Sequence, residues 1–300
     1  MPATFGAFGV RSMIAPLRSV ALRIPTTLGD FAAAGWRQPD LARLLAQHER
    51  LAELLAALGA GVVVLQPLDG LVDACFVFDP VLMTAAGAVV LRSAKAVRAG
   101  ESAALAADLD ELGVPLAGRL DGAAVADCGD LLWLDERTLL AGRGYRTNAE
   151  AHRQLAAIVA TEGAVLERCD LPHDRGPEHV LHLMSLVSPV AEDLAVVFEP
   201  LAPVPLLEAL RQRSIRWLAV DPEEYETMGA NVLAVRPGVV VLADGNPRTR
   251  RALEAEGCEV HVYEASELSK GDGGPTCLTR PLHRGDRAAG RPSPAVRQWP

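Results

Sequence analysis

Near its C-terminal end the chain reads Gly271-Asp272-Gly273-Gly274-Pro275-Thr276-Cys277-Leu278-Thr279-Arg280. A cysteine directly after a glycine-rich loop places a thiol where backbone can approach a ligand closely. The residues that follow predict a short apolar strand opening at Cys277. The three glycines permit positive φ and predict a mobile flap. The loop lacks the Lys-Ser/Thr ending of a phosphate loop. Upstream, Val180-Leu181-His182-Leu183 carries an imidazole in an apolar run, with aspartates before both segments. A thiol, an imidazole and carboxylates on separate segments are the parts of a cysteine-nucleophile enzyme.

Each of these residues has an ordinary explanation. A free thiol is most often a buried structural cysteine, and Cys75, Cys128, Cys169 and Cys258 fit that description, each within or beside an apolar strand. Cys277 differs by its glycines. A lone histidine in an apolar run is more often a hydrogen-bonded core residue than a catalyst. Asp73 and Asp79 flank Ala74-Cys75-Phe76-Val77-Phe78, and Asp127-Cys128-Gly129-Asp130 precedes Leu131-Leu132-Trp133-Leu134. Turn chemistry explains any one of these aspartates. Four of them at the strand entrances of two successive segments call for a cation or for buried donors. Arg98 and Arg146 each stand at the start of a predicted helix, where a guanidinium suits bidentate capture of a carboxylate.

The elements that must position these groups recur. The clearest helix runs from Asp40, its cap, to Leu58, with Leu41, Leu44, Leu45, His48, Leu51 and Leu55 at helical spacing. Gly59-Ala60-Gly61 ends it, and Val62–Leu65 reads as a buried strand. Cys75–Phe78 and Ala88–Leu91 read as strands, followed by a helix from Arg98 to Leu112. Leu131–Leu134 and Thr138–Ala141 precede a helix from Asn148 to Thr161 and a strand at Val165–Arg168. Leu194–Phe198, a short helix over Pro205–Gln212 and a strand at Arg216–Val220 come next. Val232–Val235 and Val239–Leu242 form a hairpin across Pro237-Gly238, before a helix over Pro247–Glu256 and a strand at Glu259–Tyr263. Helices begin near residues 40, 98, 148, 205 and 247, a period of roughly 50 residues that marks a repeat architecture. Five strand–strand–helix–strand units could close into a ring around a central channel. A doubly wound sheet would instead alternate single strands with helices.

Composition sets the outer bounds. The chain has 300 residues, half of them hydrophobic, and a net charge of −9 with both signs interspersed. That disfavours nucleic acid, whose phosphates need a basic stripe. The five widely spaced cysteines contain no CxxC pair, which argues against a disulfide framework or a zinc knuckle and for a reducing cytoplasm. No apolar run approaches the ~18 residues of a membrane helix. The expected organisation is one catalytic domain over 1–284 and a disordered tail over 285–300.

In order along the chain stand Asp73-x-x-Phe76-Val77-x-Asp79, Arg98, Asp127-x-Gly129-Asp130, Gly142 with Arg146-Thr147-Asn148, Leu181-His182-Leu183, Ala230-Asn231 and Gly274-x-Thr276-Cys277. This ordered set resembles the dimethylarginine dimethylaminohydrolase family of the guanidino-modifying (pentein) superfamily, over about residues 20 to 283. The resemblance implies a five-bladed α/β propeller of ββαβ units. It implies a Cys277 nucleophile, His182 as proton donor and then base, and Asp127 as its orienting partner. By the same resemblance Asp73 and Asp79 hold the guanidinium, Arg98 and Arg146 bind the substrate α-carboxylate, and Leu28 and Gly271 touch its amino-acid end. The implied ligand is a small guanidino amino acid; no cofactor, metal, nucleic acid or membrane is implied, and a homodimer is compatible. The family usually has an acid where this chain has Phe78, and Cys128 replaces a glycine. Met184 stands where arginine deiminases and amidinotransferases hold an aspartate, which favours substituted arginines. Three readings follow: hydrolysis of methylated arginine to citrulline, a deiminase- or amidinotransferase-like enzyme acting on arginine or another guanidine, and a non-catalytic binding protein of the same fold.

Overall fold

The computed structural model describes residues 8–179 and 181–285. Its strands fall into five separate three-stranded sheets of one design. The chain enters through β1 (Leu17–Arg23), α1 (Leu41–Ala57) and β2 (Gly61–Leu65). The second unit is β3 (Val81–Thr84), β4 (Gly87–Val90), α2 (Glu101–Glu111) and β5 (Leu116–Arg119). The third is β6 (Leu131–Asp135), β7 (Thr138–Arg143), α3 (Ala149–Ala160) and β8 (Val165–Asp170). The fourth is β9 (Val187–Ala191), β10 (Leu194–Val197), α4 (Val204–Gln212) and β11 (Arg216–Ala219). After the single turn α5 (Pro222–Tyr225) come β12 (Leu233–Arg236), β13 (Val239–Ala243), α6 (Pro247–Ala255) and β14 (Glu259–Tyr263). The last strand, β15 (Arg280–Arg284), returns to pair antiparallel with β1, so the first sheet is built from both ends of the chain.

In each sheet the middle strand pairs parallel with the strand beyond the helix and antiparallel with a third, which in four units is the strand just before it and in the first is β15. A parallel return needs a crossover, which the helix supplies. The middle strands β4, β10 and β13 are buried along their whole length and read as unbroken apolar runs. The third strands β5, β8, β11 and β14 are exposed or half-buried along most of their length, as expected for sheet edges that meet solvent.

The helices start where their caps say. The Asp40 carboxylate accepts from the N–H groups of Ala42 and Arg43 at 3.0 and 3.1 Å, and Asn148 Oδ1 accepts from Ala151 N at 2.9 Å. Units are tied laterally by side chains that reach a neighbour's backbone. Trp133 Nε1 donates to Met83 O at 3.0 Å, Ser188 Oγ to Ala230 O at 2.7 Å, and Arg284 Nη2 to Ala234 O at 2.7 Å. Among the described residues, no helix is long and apolar enough to cross a membrane.

Three local expectations are corrected. Val72–Cys75 is a 3-10 turn, not the start of a strand, and the strand of that unit lies later, at Val81–Thr84. The apolar Cys75-Phe76-Val77-Phe78 run is buried by core packing around a loop rather than by ladder pairing. Cys277 lies in a turn, and the strand begins only at Arg280. Arg98 closes a separate 3-10 turn, Ala96–Arg98; Gly100 at φ 105° then resets the chain into α2. The predicted tail lies outside the described residues, apart from Gly285.

Candidate active site

The loops entering the units converge on a small cavity of about 40 Å³, whose walls include Asp73, Asp79, Arg98, Arg146, His182, Gly271 and Cys277. Eight of the nine residues singled out in sequence therefore meet: seven form these walls and the eighth, Asp127, touches two of them. Asp127 Oδ2 lies 3.4 Å from His182 Nε2 and 2.6 Å from Arg146 Nη2. Leu28 does not join them. It is 60 % exposed, and its backbone bonds Thr26 and Gly70.

The basic groups lining the cavity are held by acids. Arg98 Nη1 donates to Asp79 Oδ2 at 2.6 Å and its Nε to Glu101 Oε2 at 2.8 Å, all three side chains being buried. Burial works against the guanidinium, but Glu101 and Asp79 raise its pKa well above the ordinary value. Burial in turn raises Glu101 to about 7 in spite of Arg98. Asp79 also accepts from Gly129 N at 3.0 Å, so one carboxylate braces two segments of the site.

Two partners of Asp73 were not singled out in sequence. Trp36 Nε1 donates to its Oδ1 and Lys95 Nζ to its Oδ2, both at 2.7 Å. Lys95 also donates to Ala34 O at 2.6 Å, tying the loop that carries Trp36 to the cavity wall. Nothing near Trp36 in sequence signals this role; for Lys95 the only hint is its place three residues before Arg98.

The glycine loop is packed, not a free flap. The Trp36 ring stacks on Phe76 with centroids 5.3 Å apart. A Cβ on Gly271 would come within 2.2 Å of Trp36, and one on Gly273 within 2.2 Å of Phe76. These glycines serve close approach to aromatic rings. Left-handed backbone falls instead on Asp272, at φ 58°.

His182 precedes the 3-10 turn Leu183–Ser185, and Ser185 Oγ accepts from its N–H at 3.1 Å. Burial would lower the imidazole pKa, but the carboxylates of Asp79 and Asp130 and the contact with Asp127 raise it above 6.5. For Asp127 burial opposes the charge, yet His182, Arg146 and Arg98 hold its carboxyl well below the usual range. The 3.4 Å contact is loose for a hydrogen bond; such contacts commonly tighten only once substrate is bound. A Cβ on Gly129 would lie 2.4 Å from His182 Nδ1, so only glycine leaves the ring in place. Gly129→Ala is expected to displace the imidazole and lower kcat by about 10²-fold, with a Tm close to wild type. Steady-state kinetics alongside a thermal melt check this.

Asp130 lies behind His182. Thr147 Oγ1 donates to it at 2.6 Å and Leu183 N at 3.0 Å, but complete burial pushes its pKa up from 3.8 to about 6. A carboxyl with a raised folded pKa contributes its full stability below the unfolded pKa and loses it as pH rises through 6. Asp130→Asn, which can keep both hydrogen bonds, is therefore expected to be more stable than wild type at pH 8, by on the order of 2–3 kcal/mol, and not at pH 4. Denaturant melts at the two pH values check it.

Cys277 is half-buried, whereas the other four cysteines are buried, and none is paired in a disulfide. Asn231 Nδ2 lies 3.3 Å from Cys277 Sγ, while Asn231 Oδ1 accepts from Thr276 N at 3.0 Å. Asn231 thus orients the thiol from both sides of the turn; its place in the ordered motif set was the only signal for it. Burial, then the Asp79 carboxylate, push the thiol up to about 11. Phe78 N donates to Cys277 O at 3.2 Å, and the Phe78 ring lies 4.1 Å beneath the Arg280 guanidinium. Among the described residues, no group of three or more His, Cys, Asp or Glu side chains could hold a metal ion.

Known proteins resemble this chain in sequence and fold. An arginine deiminase family model matches residues 215–284. The chain is 30% identical over 240 residues to the N(G),N(G)-dimethylarginine dimethylaminohydrolase of Streptomyces coelicolor, covering 78% of this chain and 84% of that protein. It is 28% identical over 242 residues to the enzyme of the same name from Pseudomonas aeruginosa, covering 81% and 89%. The crystal structure of a dimethylarginine dimethylaminohydrolase adduct with 4-chloro-2-hydroxymethylpyridine superposes with a TM-score of 0.73 at 25% identity, covering 88% of this chain and 98% of that one. Together with the ordered motifs and the site they build, these matches show that the chain belongs to the dimethylarginine dimethylaminohydrolase family, within the pentein superfamily.

Proposed function

We propose that this chain is a thiol-dependent hydrolase that converts Nω-methylated arginine to citrulline and a methylamine through a thiouronium on Cys277. The observation that carries this reading is the meeting of Cys277 and His182 with Asp73, Asp79, Arg98 and Arg146 in one cavity. Five sheets of one design support a five-bladed α/β propeller, acting as a single catalytic unit over 1–284. In the proposed reaction the bound guanidinium favours the thiolate, which attacks the guanidinium carbon. Protonated His182 gives its proton to the departing amine, and neutral His182 then takes one from water. Hydroxide adds to the thiouronium carbon and expels the thiolate, leaving the ureido group of citrulline. Asp127 holds the imidazole, and Arg98 and Arg146 receive the substrate carboxylate, partly exchanging their present acid partners for it.

Arginine itself is the second substrate reading. It is favoured by the arginine deiminase match. Citrulline release from arginine, monomethylarginine and dimethylarginine decides between them. The methylated substrates are expected to have the higher kcat/KM, because Met184 offers no acceptor for an unsubstituted terminal nitrogen. A wide preference for arginine overturns the choice.

A further inference from the structure

Cys277 and His182 also form part of a second cavity, of about 230 Å³ against about 40 Å³ for the charged one. Part of its wall is apolar, made by Phe78, Met184, Tyr225, Met228 and Ala230, beside polar Ser185, Asn231 and Thr276. Resting on the proposed hydrolase reading, which sets the amino-acid end of the substrate among the charged residues of the small cavity, we propose that the preferred substrates carry a bulky, largely apolar Nω-substituent, from propyl to benzyl, which this chamber receives.

Three observations carry the inference. The two cavities share Cys277, His182 and Asp272, so a guanidinium held at the sulfur has its amino-acid end on one side and its distal nitrogen facing the chamber. Dimethylamine would leave most of that space unfilled. Next, the chamber sets its apolar wall beside a few neutral acceptors, Thr276 Oγ1 with Ser185 Oγ and Asn231 Oδ1, the last two already accepting from His182 N and Thr276 N. The Phe78 side chain has no polar acceptor, and its ring already carries the Arg280 guanidinium. The chamber's carboxylates, Glu226 and Asp272, are exposed and lie 3.5 Å from Arg175 and Arg37 respectively. An alkyl group set against the apolar part of the wall is transferred favourably from water. Finally, Met184 and Met228 are unbranched and adaptable, suited to substituents of differing shape. The exposed pairs Arg37–Asp272 and Arg175–Glu226 hold the outer rim weakly, so the released amine can leave between them.

The step is the same hydrolysis. The C–N bond to the substituted nitrogen breaks, His182 supplies the proton, and the primary amine departs while water provides the oxygen of citrulline.

The test is citrulline release by the wild-type protein from arginines bearing Nω-methyl, propyl, butyl and benzyl groups. Each methylene buried in the chamber should raise kcat/KM about fourfold, so butyl should exceed methyl by at least about tenfold. Ala230→Leu, which narrows the chamber, should reverse the butyl-to-methyl ratio, and Tyr225→Ala, which widens it, should shift preference towards benzyl. Ratios within one preparation do not depend on how much of a variant folds. A flat or falling series in the wild type overturns the inference while leaving the hydrolase reading intact; the chamber is then the entry route. No citrulline from any member, including methyl and dimethyl, overturns both.

Discussion

Cys277→Ser is expected to lower citrulline release from dimethylarginine by at least about 10³-fold. The two side chains differ by one atom, so packing in the Thr276–Leu278 turn and the contact with Asn231 survive. What changes is acidity. With the thiol pushed up to about 11 by burial and Asp79, only about one sulfur in 10⁴ is ionised at pH 7 in the free protein. A guanidinium bound against Asp79 sets a positive charge where the dominant charged neighbour was negative, and the thiolate becomes accessible. A serine hydroxyl begins several units higher, beyond what one cation can supply. A second consequence can be read without substrate. Alkylation of Cys277 by neutral iodoacetamide should be slow at pH 7 and rise about tenfold per pH unit towards pH 11. A serine variant within tenfold of wild-type turnover would remove Cys277 from the chemistry.

His182→Asn should cost about 10²–10⁴-fold in kcat, since one group serves as acid in the first half-reaction and base in the second. The pH profile identifies the group more sharply than the rate. The thiolate–imidazolium form carries the same number of protons as the thiol–imidazole form, so both follow one bell-shaped curve. Wild-type kcat/KM is therefore expected to climb as pH rises to the His182 pKa, which lies above 6.5, and to fall past about 11. In His182→Asn the bell should be lost, the residual rate climbing with the thiolate as pH rises towards about 11. Persistence of the lower limb would assign it to another residue. Asp130, pushed up to about 6, is the nearest candidate, and the Asp130→Asn variant separates the two.

Much of the fold was legible because burial leaves a trace in residue type. The middle strands β10 and β13 are apolar throughout because both faces are covered, and both were anticipated within a residue or two. Helices α1 and α3 announced themselves through Asp40 and Asn148, whose side chains satisfy first-turn N–H groups. The strands that escaped notice have no such trace. In β5, Leu116-Ala117-Gly118-Arg119 lies at a sheet edge, half in solvent, and its pairing comes from β4 rather than from its own side chains. The partners β1 and β15 stand at opposite ends of the chain, so no local pattern records their ladder.

The same division runs through the site. Residue type and order along the chain were enough to mark the thiol, the imidazole, the aspartates and the arginines, because reactive and charged groups among apolar runs are conspicuous. How those charges are distributed was decided only by folding. Trp36 and Lys95 on Asp73, Asp79 and Glu101 on Arg98, and the fit of Gly129 against the imidazole all join loops far apart in sequence, or depend on distances that residue types do not encode. The large apolar chamber beyond Cys277 is likewise a property of packing. Phe78 and Met184 stand out in the sequence only as departures from the family and Tyr225 and Met228 not at all; they become a wall only because separate segments bring them to one cavity.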